Sequence, residues 1–123
     1  MEIGLTYTCS TIVEEKHLAI NVGSGDLRVL ATPAMIALME QAAMMTVTEH
    51  LPEGCTTVGS YIGSSHIKPT AFGKKVSATA ILTKAEGKKL TFSIKAEDEE
   101  GTIGEGEHIR FIVDREKFMG RIS

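Results

Sequence analysis

The chain has little that would take it to nucleic acid or into a membrane. Its 13 Lys and Arg stand against 16 Asp and Glu, a net charge of −3, so the electrostatic footprint of a nucleic-acid binder is missing. The basic residues are scattered. The only tight pairs, Lys74-Lys75 and Lys88-Lys89, read as strand ends and turn rims facing solvent. No apolar run reaches the roughly 20 residues a bilayer needs, because the most apolar stretch is interrupted by Pro33 and Glu40. Cysteine is scarce: Cys9 and Cys55 follow no metal or redox spacing. Met1 runs into Glu2-Ile3-Gly4-Leu5 with neither a basic segment nor a cleavable apolar run. Together these predict a reducing, cytoplasmic setting. No Phe, Tyr or Trp stands between Tyr7 and Tyr61, and there is no internal repeat, low-complexity tract or linker.

What is present is one domain's worth of chain. At 123 residues, about 70% of the unfolded surface can be buried in a single core. A hydrophobic fraction of 42% and a charged fraction of 24% suit a soluble globular protein. Within it, Glu40 is the only ionisable side chain between Arg28 and Glu49. Its neighbours, Ala34-Met35-Ile36-Ala37-Leu38-Met39 before it and Gln41-Ala42-Ala43-Met44-Met45 after, read as core. A carboxylate placed there must reach water or be held by partners, since burying it bare costs several kcal/mol. Ionisable groups in apolar surroundings concentrate where chemistry happens.

Residues 3–13 alternate as a strand, with Ile3, Leu5, Tyr7, Cys9, Thr11 and Val13 on one face. Gly23-Ser24-Gly25-Asp26 marks a turn or loop; it lacks the lysine and following glycine of a phosphate loop. Thr32-Pro33 predicts a helix start, with Thr32 as N-cap and Pro33 in the first helical position. That helix should run to about His50, before Pro52-Glu53-Gly54. Being apolar on nearly every side for three turns, it must be wrapped. Strands are predicted over 56–68, over 75–85 with Val76, Ala78, Ala80 and Leu82 on one face, and over 90–96, marked by Leu90, Phe92, Ile94 and Ala96. A last strand runs from Ile103 to Val113, with Ile109, Phe111 and Val113 on its apolar side and His108 and Arg110 opposite. Short turns between consecutive strands predict an antiparallel meander. The class is α+β: one long buried helix against a curved antiparallel sheet. Glycines at 59 and 63 suggest close approach by a ligand or a partner chain, and a dimer follows as the economical arrangement.

These residues resemble the hot-dog-fold acyl-CoA thioesterases, in the fluoroacetyl-CoA thioesterase-like branch. The matching pieces are Ala31-Thr32-Pro33-Ala34-Met35, Met39-Glu40, Gly59 through Ser65-His66, and Gly73. Glu86-Gly87-Lys88-Lys89-Leu90-Thr91-Phe92 and Gly106-Glu107-His108-Ile109-Arg110 complete the set, which covers nearly the whole chain as one domain over residues 1–123. The resemblance implies that Thr32, Glu40 and His66 form the catalytic set. It implies that Gly59 offers its backbone N–H to the reacting group. It further implies an acyl-CoA substrate and a homodimer with sites at the subunit interface, leaving open whether dimers pair into tetramers. Fluoroacyl-selective members carry aromatic lid residues just before the helix. Here that segment is Gly23-Ser24-Gly25-Asp26-Leu27-Arg28-Val29-Leu30, so a different, broader acyl group is expected.

The chemistry of these residue types agrees. Thioester hydrolysis needs a nucleophile or activated water, a donor for the carbonyl oxygen and an acid for the leaving thiolate. Thr32 starts a helix, where free N–H groups favour developing negative charge. Glu40 lies eight residues on, about 12 Å along the axis and within a quarter-turn of the same face, so the two can border one cleft without touching. His66, with a near-neutral pKa, can give or take a proton. Glu40 is expected to be the general base or the nucleophile, and Thr32 either a hydroxyl nucleophile or an orienter. Arg110 is expected to hold a strand glycine or a CoA phosphate, or to form a solvated cross-strand pair. No metal or redox cofactor is called for. The competing reading is a module that binds acyl-CoA without turning it over.

Overall fold

A computed structural model describes all residues, 1–123. Five strands form one antiparallel sheet: β1 (Thr6–Ile12), β2 (Cys55–Ser64), β3 (Lys75–Glu86), β4 (Lys89–Asp98) and β5 (Gly101–Asp114). Their order is β1-β3-β4-β5-β2. The predicted meander therefore holds for β3, β4 and β5, while β1 and β2 flank it as the two edges. Between the edges in sequence lie a single-turn helix, α1 (Ala19–Val22), and the long helix α2 (Thr32–Val47), which tightens into a 3₁₀ turn at Thr48–His50. A short α3 (Arg115–Gly120) follows β5.

Helix α2 lies against β3 and β1. Small side chains make room for it: Ala42, Ala43, Ala78, Ala80 and Ala96 are fully buried where helix meets sheet. Val76, Leu82, Leu90, Phe92 and Ile94 fill the rest of the inner face, with Met35 and Met39 from the helix. One side of α2 stays open, carrying Thr32, Pro33, Ala37 and Gln41, with Ile36, Glu40, Met44 and Met45 half-buried beside it.

The last strand does not face the way its apolar residues suggest. The tight turn pairs Asp98 with Gly101. Continued without interruption, that register would set Leu90 opposite Ile109. Instead Glu97 pairs with Thr102 and Ala96 with Gly104, leaving Ile103 as an extra, unpaired residue. A one-residue bulge turns over every side chain that follows it. The inner residues Leu90, Phe92, Ile94 and Ala96 consequently face Arg110, His108, Gly106 and Gly104. His108 and Arg110 are buried at 1% and 7% exposure, whereas Phe111 is left 37% exposed. The expectation of a solvated Arg110 is thus overturned: it points into the molecule.

Gly104 and Gly106 serve the crossing of the segment after β2. A Cβ at Gly106 would collide with the Gly63 carbonyl, and one at Gly104 with the Ser65 carbonyl. With these side chains missing, Ser65 and Ile67 donate their N–H groups to Glu105 and Ile103. His66 is thereby held in extended chain beyond the end of β2.

Candidate active site

Helix α2 begins one residue earlier than its sequence signals suggest. Ala31 is the N-cap, its carbonyl accepting from Ala34 and Met35. Thr32 is the first helical residue, and no side chain caps the helix. The threonine hydroxyl is therefore free for another partner, and it lies 2.7 Å from Nδ1 of His66. Both side chains open onto a cleft of about 290 Å³, lined also by Ser24, Leu30, Ile67 and Lys68. Nε2 of His66 is buried with no hydrogen-bond partner. Burial pulls this imidazole below the usual histidine range, against the backbone at Lys68, which acts the other way. At neutral pH the ring is uncharged, and it can trade a proton with the Thr32 hydroxyl.

A second group forms around Glu40, two turns along α2. Its carboxylate is 42% exposed and lies 3.9 Å from Nη1 of Arg110, which is only 8% exposed. Glu40 meets the sequence's demand in both ways at once, reaching water and holding a cation. The guanidinium is fixed on its other sides: Nε donates to Thr57 Oγ1 at 2.8 Å, Nη2 to the Thr57 carbonyl at 3.0 Å, and Nη1 to Nε2 of His108 at 3.2 Å. Nδ1 of His108 in turn lies 2.7 Å from the Tyr61 carbonyl. Burial draws Arg110 below its ordinary value, and Glu40 opposes this.

Gly59 closes the group. It pairs with Arg110 across β2 and β5, and a Cβ there would sit 3.0 Å from Oε2 of Glu40 and 3.2 Å from Cε1 of His108. Its missing side chain leaves room beside the carboxylate. Gly63, singled out for the same reason, works differently. A Cβ there would come 2.5 Å from the Tyr61 hydroxyl, so its space is taken by a ring of its own strand.

Two pairings of the predicted residues therefore emerge within one chain: Thr32 with His66, and Glu40 with Gly59 and Arg110. They are separated by about 12 Å along α2. His108 and Thr57 belong to the second group and were not marked by the sequence, because the apolar alternation of β5 points to the wrong face. The signal that could have found them is chemical: a histidine and an arginine at alternate positions of one strand opposite an inward row. No group of three His, Cys, Asp or Glu is arranged to hold a metal, and no helix is long and apolar enough to cross a membrane.

Comparison with known proteins places this geometry. The family described as fluoroacetyl-CoA-specific thioesterase matches residues 13–116. A fluoroacetyl-CoA thioesterase of Streptantibioticus cattleyicolor is 34% identical over 94 residues, 76% of this chain and 68% of that protein. The solved structure of the fluoroacetyl-CoA thioesterase FlK superposes with a TM-score of 0.92 at 28% identity, covering 99% of this chain and 95% of that one. A variant of FlK in complex with fluoroacetate and CoA gives a TM-score of 0.90 at 29% identity over 96% and 99% of the two chains. A thioesterase superfamily member from Thermus thermophilus gives 0.90 at 26% identity over 98% and 89%. The fold is thus the hot-dog fold, and the chain belongs to the fluoroacetyl-CoA-specific thioesterase family, whose members are thioester hydrolases.

Proposed function

We propose that this thioester hydrolase cleaves small acyl-CoA esters, with Glu40, His66 and Thr32 as its catalytic residues and Gly59 and Arg110 holding the substrate end. The observation that carries this reading is the 2.7 Å contact between Thr32 Oγ1 and His66 Nδ1, made by a helix-starting hydroxyl that caps nothing. Glu40 accepts a proton from water as the water oxygen adds to the thioester carbonyl. The N–H of Gly59 and that of Thr32, the one first-turn donor of α2 neither taken by the Ala31 carbonyl nor lost to Pro33, receive the negative charge that develops on the carbonyl oxygen. Collapse of the adduct breaks the carbon–sulfur bond, and a proton passed through His66 neutralises the departing thiolate. Attack by Glu40 itself, followed by hydrolysis of the anhydride, uses the same groups.

The working unit is a homodimer. Support comes from the open side of α2, from β2 standing as an uncovered sheet edge, and from the distance between the two residue groups. A second copy laid against that edge brings groups from two chains around one substrate. The cytoplasm suits two free thiols, Cys9 and Cys55. The lid segment, with Leu27 and Arg28, carries no aromatic residue of its own, and the one ring beside it, Phe72, lies under the Arg28 guanidinium at 5.9 Å; this favours aliphatic acyl groups over selective recognition of a fluorinated one.

The test is thiol release from a panel of short acyl-CoAs and fluoroacetyl-CoA, with Glu40→Gln, His66→Ala and Thr32→Val compared with the parent. The three variants lose most of kcat on the best substrate; parental rates in Glu40→Gln and His66→Ala together would end the assignment. Light scattering reads the assembly, and a monomer at working concentration would remove the shared site.

A further inference from the structure

The hydrogen bonds around His108 fix its protonation by elimination. Arginine can only donate, so Nε2 of His108, 3.2 Å from Arg110 Nη1, must present a lone pair. A carbonyl can only accept, so Nδ1, 2.7 Å from the Tyr61 carbonyl, must carry the proton. The ring is therefore neutral and in one tautomer, and it sits between a strand carbonyl and the cation that faces Glu40. No reactive role falls to it: it is 1% exposed, and both its ring nitrogens are engaged, by the Tyr61 carbonyl and by Arg110.

We propose that His108 is a positioning residue, which in its neutral Nδ1–H form fixes the Arg110 guanidinium beside Glu40 and which releases that hold when it takes up a second proton. The inference rests on the reading of Glu40 as the general base or nucleophile of the reaction. Thr57 anchors Nε and Nη2 of the guanidinium, but Nη1, the nitrogen nearest Glu40, has His108 as its only hydrogen-bond acceptor. Protonating Nε2 sets one N–H against another and a cation against a cation, so Nη1 must turn away. The charged groups facing the imidazole are Arg110 from β5 and Glu40 from α2. Strand β2 brings Gly59 and the Tyr61 carbonyl, and β4 brings the Phe92 ring, 6.2 Å away; none of these titrates near neutrality. Burial pulls His108 below the usual range; the Tyr61 carbonyl opposes this, Arg110 adds to it, and Glu40 opposes it. The clamp is consequently intact at neutral pH and opens on acidification. A misaligned group that does not itself react can cost up to about 100-fold in rate.

Three variants and one spectrum test this. His108→Gln keeps an acceptor at about the reach of Nε2, His108→Leu removes it, and Glu40→Gln is the reference for the carboxylate. Expected for His108→Leu is a kcat about 10- to 100-fold lower with a smaller rise in KM, since Thr57 still anchors the guanidinium. His108→Gln should recover most of kcat while losing the part of the acid limb that belongs to His108. Nitrogen-15 NMR of the imidazole at pH 7.5 should report the Nδ1–H tautomer. A folded His108→Leu enzyme with the parent's kcat and pH profile overturns the proposal, and so does an Nε2–H or doubly protonated ring. If His108→Leu does not fold, the Gln variant and the tautomer decide. An inactive Glu40→Gln beside a parental His108→Leu rejects only the role of His108. A fully active Glu40→Gln rejects the reading of Glu40 as base or nucleophile and this proposal with it.

Discussion

Gly59→Ala isolates the space beside Glu40 from everything else in the fold. Gly59 has ordinary negative-φ backbone, so alanine fits its conformation without strain. The added methyl would lie 3.0 Å from Oε2 of Glu40, 3.2 Å from His108 Cε1 and 3.5 Å from Arg110 Nη1. All three are side-chain atoms, and the most mobile is the carboxylate, 42% exposed and free to swing toward water. Moving it from 3.9 Å to about 5 Å from Nη1 weakens the attraction by roughly 1 kcal/mol at an effective dielectric of about 20. Solvent around a half-exposed carboxylate reduces that further. Electrostatics alone then costs less than tenfold, and the larger effect is mis-aim of the reacting oxygen, worth up to about 100-fold. Stability should hold, because Gly→Ala in a compatible conformation gains about 0.4–1 kcal/mol by stiffening the unfolded chain. The assay is thiol release on the best acyl-CoA together with a thermal melt. The expected outcome is a kcat 10- to 100-fold lower at nearly the parental Tm. A variant with unchanged kcat and KM would show that Glu40 is not the group that acts beside Gly59.

Other outcomes follow from the same geometry. Thr32→Ser should retain much of kcat and Thr32→Val little of it, since only serine keeps a hydroxyl for His66 Nδ1; equal rates for the two would remove the hydroxyl from the chemistry. His66 and His108 are both held below the usual histidine value, chiefly by burial, so the unfolded chain takes up their protons first. Their contribution to stability is present above about pH 6.5 and is lost as pH falls through the two lowered values. Melts from pH 8 to 5 should show Tm dropping, with a shallower slope in His108→Gln; an unchanged slope would contradict the buried neutral ring. Gly106→Ala drives a methyl into the Gly63 carbonyl, a clash with backbone that should cost more than about 2 kcal/mol. A variant melting within 2 °C of the parent would refute the close crossing.

Most of the scaffold was legible because it is written in periodicity. The inner rows of β3 and β4, the alanines under the helix and the end of α2 before Pro52 all follow from spacing and size. Glu40 stood out by its apolar surroundings, Thr32 and His66 joined it through the family resemblance, and the structure brings Thr32 and His66 together. What the letters hid is register. Ile103 opens β5 with an apolar residue whose row continues through Ile109 and Phe111, and nothing local says that an extra residue intervenes. The same blindness placed Arg110 in water and left His108 and Thr57 unmarked. The helix start was misjudged by one residue for a related reason. Thr32 has the chemistry of a cap, but its hydroxyl is claimed from across the molecule by His66.

The unpaired residue at position 103 gives this strand an unusual vulnerability. Exchanging one outward side chain of β5 for another leaves the inner row where it is, so Glu105, Glu107 or Ile109 can drift in kind. Gaining or losing a single residue between Gly104 and His108 cannot be absorbed in the same way. It would carry the guanidinium and the imidazole to the outside and bring grease to the acid. In this segment the number of letters is under tighter constraint than most of the letters themselves.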